Sequence, residues 1–234
     1  YNSDMSQQVD PGRIPALKAV VAGALDEARR LGASQAEVDA SLQQGLSVSV
    51  GLGEVETVEY QRDRALGITV YFGHRKGSAS TGDLSAQSVE DMVAKACAIA
   101  RHTAEDECAG LADPALLQTQ FRDLHLDFPW ELSADAAVEL ARECEAAGRA
   151  VDTRLSNSEG ASVSSQRGVR VYGNTHGFLA GDCGTSHSLS CVLLAQVGED
   201  MQRDYWYTSA RDPRDLEAAE LVGRRAGQRA IARL

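Results

Sequence analysis

The chain has 234 residues, enough to bury a sizeable core, and its 43% hydrophobic and 24% charged residues are ordinary for a globular protein. A formal net charge of −11 opposes phosphate backbones and argues against direct nucleic-acid binding. No apolar stretch approaches the length of about 18 residues that a spanning helix needs, which argues against a membrane protein.

The segment Tyr1 to Asp10 is polar, without a basic start or an apolar run, so it does not read as a signal peptide. A first residue other than Met points to trimming. The five cysteines, Cys97, Cys108, Cys144, Cys183 and Cys191, are an odd number and widely spaced, which fits free thiols in a reducing cytoplasm.

Asp10-Pro11 opens a helix in which Ile14, Leu17, Val21, Ala24, Ala28 and Leu31 recur at helical spacing until Gly32. Strict alternation follows. Ala36, Val38, Ala40 and Leu42 share one side, and Gln35, Glu37, Asp39 and Ser41 the other, as in a half-buried strand. Leu46, Val48 and Val50 repeat the pattern, as do Leu66, Ile68, Val70 and Phe72, and residues 54–60 and 76–81 read as further strands. A helix capped by Ser85 then carries Val89, Met92, Val93, Ala96 and Ile99 on one face.

Periodicity disappears over residues 103–132, an acidic stretch containing Gly110 and Pro114 that reads as an extended connector. The order then repeats. Ser133 caps a helix with Ala137, Leu140, Ala141 and Cys144 on one face, strands follow over 161–165, 169–172, 186–196 and 201–209, and a last helix opens at Asp212-Pro213 and carries Leu216, Ala219, Val222 and Ala226. The expected fold is therefore α+β: two tandem helix–antiparallel meander–helix units, 1–102 and 133–234, with helices packed on one face of the sheets.

Sites with recognisable spacing are few. None of the five histidines, His74, His102, His125, His176 and His187, lies in a His-Glu helix pair. Cys183, His187 and Cys191 have ligand-like spacing. On a strand, however, residues four apart stand about 13 Å from each other, far too wide for one zinc ion. There is no G-x-S-x-G elbow, and Gly51-Leu52-Gly53 has neither the third glycine nor the lysine of a phosphate loop. No catalytic or metal-ligating residue is assigned. The densest polar and aromatic cluster is Tyr172, Asn174 and His176 with Arg203, Tyr205, Trp206 and Tyr207, residue types enriched where proteins hold peptides or partners. On a strand Tyr205 and Tyr207 share one face and Trp206 takes the other. Arg224, Arg225, Arg229 and Arg233 make a basic stripe that reads as a solvated helix face.

The runs GITVYFGHRKGSAST, TAEDECAGLADPALL, NSEGASVSSQRGVRVYGNTHGF and MQRDYWYTSARDPRDLEAAELVGRRAG closely resemble the PmbA (TldE) branch of the TldD/PmbA family, over nearly the whole chain. The resemblance implies a cytoplasmic zinc-dependent peptidase machinery, also described as a modulator of DNA gyrase. Its substrates would be unfolded proteins and peptides, with a role in peptide-antibiotic maturation. It further implies a heteromer with a TldD-like subunit, a homodimer being a compatible alternative, and an additional C-terminal domain. The family's His-Glu-x-x-x-His motif belongs to the TldD-like subunit and has no match here, so the expectation is that zinc sits in that partner and no cofactor in this chain. The contrasting expectation is a non-enzymatic interaction protein that acts on gyrase or a toxin–antitoxin component. A third is a self-sufficient hydrolase built from scattered residues.

Overall fold

The computed structural model describes residues 9–118 and 120–234, so most of the polar Tyr1 to Asp10 segment lies outside the described residues. Asp10 caps a 3-10 turn, Pro11–Arg13, by accepting the Gly12 N–H at 2.7 Å. Helix α1, Ile14–Arg30, buries Leu17, Val21, Ala24, Leu25 and Ala28 along one stripe. It closes on Gly32, whose φ of +88° lets Ala33 N–H reach the Ala28 carbonyl and Gly32 N–H that of Arg29, both at 3.0 Å.

Six strands follow the helical start: β1 (Gln35–Gly51), β2 (Glu54–Phe72), β3 (Arg75–Thr81), β4 (Asn157–Asn174), β5 (Leu179–Val197) and β6 (Asp200–Ala210). They hydrogen-bond in the order β3-β2-β1-β4-β5-β6. The hairpins β2–β3 and β5–β6 are antiparallel, from Leu66↔Thr81 to Phe72↔Arg75 and from His187↔Ala210 to Val197↔Asp200. Strand β4 runs against β1, since Thr175 N–H bonds Ala36 O at 2.9 Å while Gly160 lies beside Val50 O. The sequence pattern breaks β1 near Gln43–Gly45 and β2 near Gln61–Ala65, but both strands continue through these points. Side-chain alternation lapses there because neither face is fully covered, while a ladder requires only backbone groups.

The other helices are α2 (Ala86–His102), α3 (Ala134–Arg149) and α4 (Ala219–Ile231). Ser133 caps α3 by accepting Ala136 N–H at 3.2 Å. Ser85 stands at the α2 N-cap position but makes no such bond. Asp83 takes the Ser85 N–H at 3.0 Å and the Ser88 hydroxyl at 2.7 Å instead. Asp212-Pro213 opens only a 3-10 turn, Pro213–Asp215. The chain is extended at Leu216, and α4 starts at Ala219, so Leu216 is not part of the last helix. Residues 103–132 hold one 3-10 turn, Pro114–Leu116. No helix of the described residues is long and apolar enough to cross a membrane.

The long strands serve two compact units. One comprises residues through Gln43, Arg62–His125 and Gly168–Cys183, and the other comprises Gln44–Gln61, Leu126–Arg167 and Gly184–Leu234. In the first, α1 and α2 cover Ala36, Val38, Ala40, Leu66, Ile68, Val70, Val169 and Val171. In the second, α3 and α4 cover Leu46, Val48, Val50, Ala161, Val163, Leu189, Cys191 and Leu193. The division expected at 103–132 is one of sequence, whereas each core takes strand segments from both sides of it.

Candidate functional site

Alternation along a strand puts every residue next to a core position on the opposite face. In the first unit that face collects Glu37 and Asp39 of β1, Gly67, Thr69 and Tyr71 of β2, Ser78 and Ser80 of β3, and Arg170 and Tyr172 of β4. An open trough of about 480 Å³ lies over most of these residues. No side chain stands within 4 Å of where a Cβ on Gly67 would be, which leaves the floor open there.

Glu37 is its centre. The Tyr172 hydroxyl donates to one carboxylate oxygen at 2.9 Å and the Tyr71 hydroxyl to the other at 3.2 Å. Two residues along the same face, Arg170 Nε donates to Asp39 at 2.5 Å. Thr69 and Ser78 hydroxyls bond each other at 2.9 Å across the β2–β3 pair. Burial pushes the Tyr71 hydroxyl up to about 12, helped by the charge of Glu37, and burial likewise raises Tyr172. Both phenols therefore remain proton donors to Glu37 at neutral pH. The trough offers fixed carboxylates, a guanidinium and hydroxyls, a surface suited to holding polar groups of an extended ligand.

Of the residues singled out in the sequence, only Tyr172 enters this trough. Asn174 is buried and shapes the β4–β5 turn, its side-chain oxygen accepting His176 N–H at 3.1 Å and Phe178 N–H at 3.3 Å. His176 keeps a buried Nε2 without a hydrogen-bond partner. Arg203, Tyr205, Trp206 and Tyr207 belong to the second unit. There Arg203 forms a two-pronged pair with Glu159 at 2.7 and 2.6 Å. Tyr205 and Tyr207 stack on the exposed face with ring centres 6.3 Å apart. Trp206 points the other way, with the Arg225 and Arg229 guanidinium groups 5.3 and 5.6 Å from its ring. The basic stripe of α4 is paired throughout: Arg224 with Glu220, Arg225 with Glu217, and Arg229 and Arg233 with the buried Asp204. Trp206 with Arg225 and Arg229, and Asp204 with Arg229 and Arg233, thus tie α4 and the residues just after it to β6.

The donor set expected of a metal centre is not assembled. Both ring nitrogens of buried His187 are engaged, Nδ1 with the Ser165 hydroxyl and Nε2 with the Phe128 carbonyl, each at 3.0 Å. Among the described residues no three His, Cys, Asp or Glu side chains stand close enough to share a metal ion. Glu37, Asp39, Tyr71 and Arg170 were not singled out by motif. The one signal for Glu37 and Asp39 in the sequence is the polar side of the β1 alternation, while Tyr71 and Arg170 lie on β2 and β4.

The comparisons with known proteins agree with this architecture. A family profile for the PmbA/TldA metallopeptidase central domain matches residues 127–234, and one for domain 1 of the same metallopeptidases matches residues 36–100. The chain is 49% identical over 199 residues to the Metalloprotease PmbA of Escherichia coli O157:H7, covering 85% of this chain and 44% of that protein. It is 42% identical over 218 residues to the Metalloprotease PmbA homolog of Haemophilus influenzae, covering 93% and 48%. The chain thus spans about half the length of these relatives. The fold is shared with a Bacteroides thetaiotaomicron protein named as a candidate modulator of DNA gyrase, with a TM-score of 0.85 and 22% identity over 95% of this chain and 51% of that one. TldE of Thermococcus kodakarensis aligns with a TM-score of 0.73 and 18% identity over 91% and 47%. With two family profiles and closely similar relatives spanning most of its length, the chain belongs to the PmbA/TldD metallopeptidase family.

Proposed function

We propose that this chain is the N-terminal, ligand-holding part of a PmbA-like subunit in a cytoplasmic metallopeptidase assembly that acts on peptides and unfolded proteins. A TldD-like partner supplies zinc and the hydrolytic residues, and this chain supplies no catalytic group. The observation that carries the reading is the open trough around Glu37, lined by carboxylates, a guanidinium and hydroxyls, in a chain of a metallopeptidase family. The Thr69 and Ser78 hydroxyls bond each other and Glu37 is taken up by the two phenols, so neither Thr69 nor Ser78 is paired with a general base as an activated nucleophile would be, and the geometry suits holding over bond-breaking.

The test uses the full-length gene co-expressed with the TldD-like protein of the same organism. Co-purification, with cleavage of an unfolded peptide that is abolished by chelator and missing when either subunit is alone, is the expected result. In the same complex Glu37→Gln raises KM for the peptide with little change in kcat, as loss of uniform binding should. Binding of a regulatory partner that survives chelator, with no cleavage under any condition, would replace this reading with a non-enzymatic interaction protein.

A further inference from the structure

Every residue of the trough lies in the first unit, and two carboxylates line it. Asp39 is matched by Arg170. Glu37 has no cation on it among the described residues. Its side-chain contacts are the Tyr71 and Tyr172 hydroxyls, and both phenols stay protonated, so they supply hydrogen bonds without cancelling the charge. Lys76 stands opposite Tyr71 in the β2–β3 ladder and so shares this face, but it is exposed and makes no ion pair among the described residues.

An ionised carboxylate can accept about four hydrogen bonds, and Glu37 accepts two. A ligand donor therefore adds to the two phenols rather than displacing them. Glu37 is half-buried, where a charge is less screened than on an open surface, so a cation reaching it gains more than it would in water. Shape points the same way. Thr69, Ser78 and Ser80 line the trough with uncharged hydroxyls, and nothing stands within 4 Å of where a Cβ on Gly67 would be. The open floor has room for a linear alkyl stem whose charged end lies at Glu37. An acidic side chain placed there would meet a like charge, and a neutral amide would gain a hydrogen bond alone.

We propose that the trough selects a basic side chain, lysine or arginine, of an extended peptide, with the cationic end on Glu37, a reading that rests on the holding role proposed above and narrows it. Glu37 is then a specificity-determining residue, and Tyr71 and Tyr172 are positioning residues that fix its carboxylate from the strands on either side of β1.

The test is isothermal titration calorimetry of the full-length protein with short unlabelled peptides of Gly, Ser and Ala that differ only at one central residue, lysine, glutamine or glutamate. The lysine peptide should bind about 10-fold tighter than the glutamine peptide, the scale of one charge-assisted hydrogen bond, and the glutamate peptide should bind weakest. Added salt should erode the preference for lysine. Glu37→Gln keeps the shape and an acceptor for the phenols, and should abolish the preference while leaving the glutamine peptide nearly as tightly bound. That retained binding also reports a folded variant. Gly67→Leu fills the floor and should weaken all three peptides, which places them in the trough independently of Glu37. Equal affinity of the wild type for the three peptides, a lysine preference that survives Glu37→Gln, or Gly67→Leu without effect would each overturn the selection of a basic side chain and leave the holding role standing. Failure of all three peptides to bind the wild type would overturn the holding role, and the selection with it.

Discussion

The carboxylate of Glu145, on α3, holds the hairpin turn at Leu52. Its two oxygens accept the backbone N–H groups of Leu52 and Gly53, both at 2.8 Å, and Arg142 Nε donates to Gly53 O at 3.0 Å. Leu52 has a φ of +52° and Gly53 of +83°, the pairing of positive angles that a two-residue hairpin loop needs. Glycine adopts such an angle without cost, but leucine does not. The buried Glu145 thus holds in place a turn that the residue at position 52 disfavours.

Glu145→Ala leaves two amide donors without their charged acceptor, and should cost about 2–4 kcal/mol in urea unfolding. Glu145→Gln keeps one acceptor oxygen and should cost about half as much. Amide hydrogen exchange should accelerate at Leu52 and Gly53 in both variants.

Two helical glycines should respond with opposite signs. A Cβ on Gly223 would meet the Cys144 carbonyl at 1.8 Å, because α3 and α4 pack backbone to backbone at Gly148 and Gly223. Gly223→Ala must push the helices apart and should destabilise by about 3 kcal/mol or more. A Cβ on Gly23, inside α1, meets nothing within 4 Å. Gly23→Ala should stabilise by about 0.5–1 kcal/mol, through helix propensity and a less disordered unfolded chain. Thermal melts of the two single variants check both signs.

Asp204 makes a pH-dependent clamp. Burial disfavours its charge, but the Tyr205 N–H and the Arg233 and Arg229 guanidinium groups together outweigh burial and hold the carboxyl below its usual range. A folded-state pKa below the unfolded value stabilises fully above about pH 4, and that contribution fades as pH falls through the folded value. Asp204→Asn should therefore cost about 2 kcal/mol at pH 7, with the gap to wild type closing below about pH 4. Stability curves of the two proteins across acid pH would show this convergence.

These relationships differ in how far the sequence exposes them. Local period is enough for α1, where Leu17, Val21, Ala24 and Ala28 return every three or four residues, and for the core side of β1. It is enough too for the opposed faces of Tyr205 and Trp206. It fails where a strand passes through polar residues, as at Gln43–Gly45, because the signal is side-chain burial while the structure is held by backbone bonds. It also fails at Leu216, where an Asp-Pro pair starts a 3-10 turn that the chain then leaves. The trough is least legible. Glu37 and Tyr172 lie 135 residues apart, and they meet only because β1 pairs with β4, a long-range choice that no local spacing encodes. The exposed edge of β2 is of the same kind. Its residues read as a strand, but that β3 pairs only with Leu66–Phe72, leaving 54–65 without an outer neighbour among the described residues, is set by where β3 stops.

The two phenols on Glu37 give the trough a signature in alkali. The Tyr71 proton is held to about 12 by burial and by the adjacent carboxylate, and Tyr172 is raised by burial, whereas a tyrosine in the unfolded chain ionises near 10. The neutral phenol is thus favoured by folding. Its contribution is fully present below pH 10 and is lost as pH rises towards 12, where the unfolded chain has released protons that the folded chain retains. Absorbance titration of tyrosinate should show part of the signal from the six tyrosines delayed into this window, then released together with unfolding. Tyr71→Phe should remove part of the delayed signal and flatten the loss of stability between about pH 10 and 12. Glu37→Gln should move the delayed signal to lower pH, because the negative charge opposing tyrosinate is gone while burial remains. If both tyrosines titrated near pH 10 in the folded protein, the Glu37 carboxylate would not be held as the geometry places it.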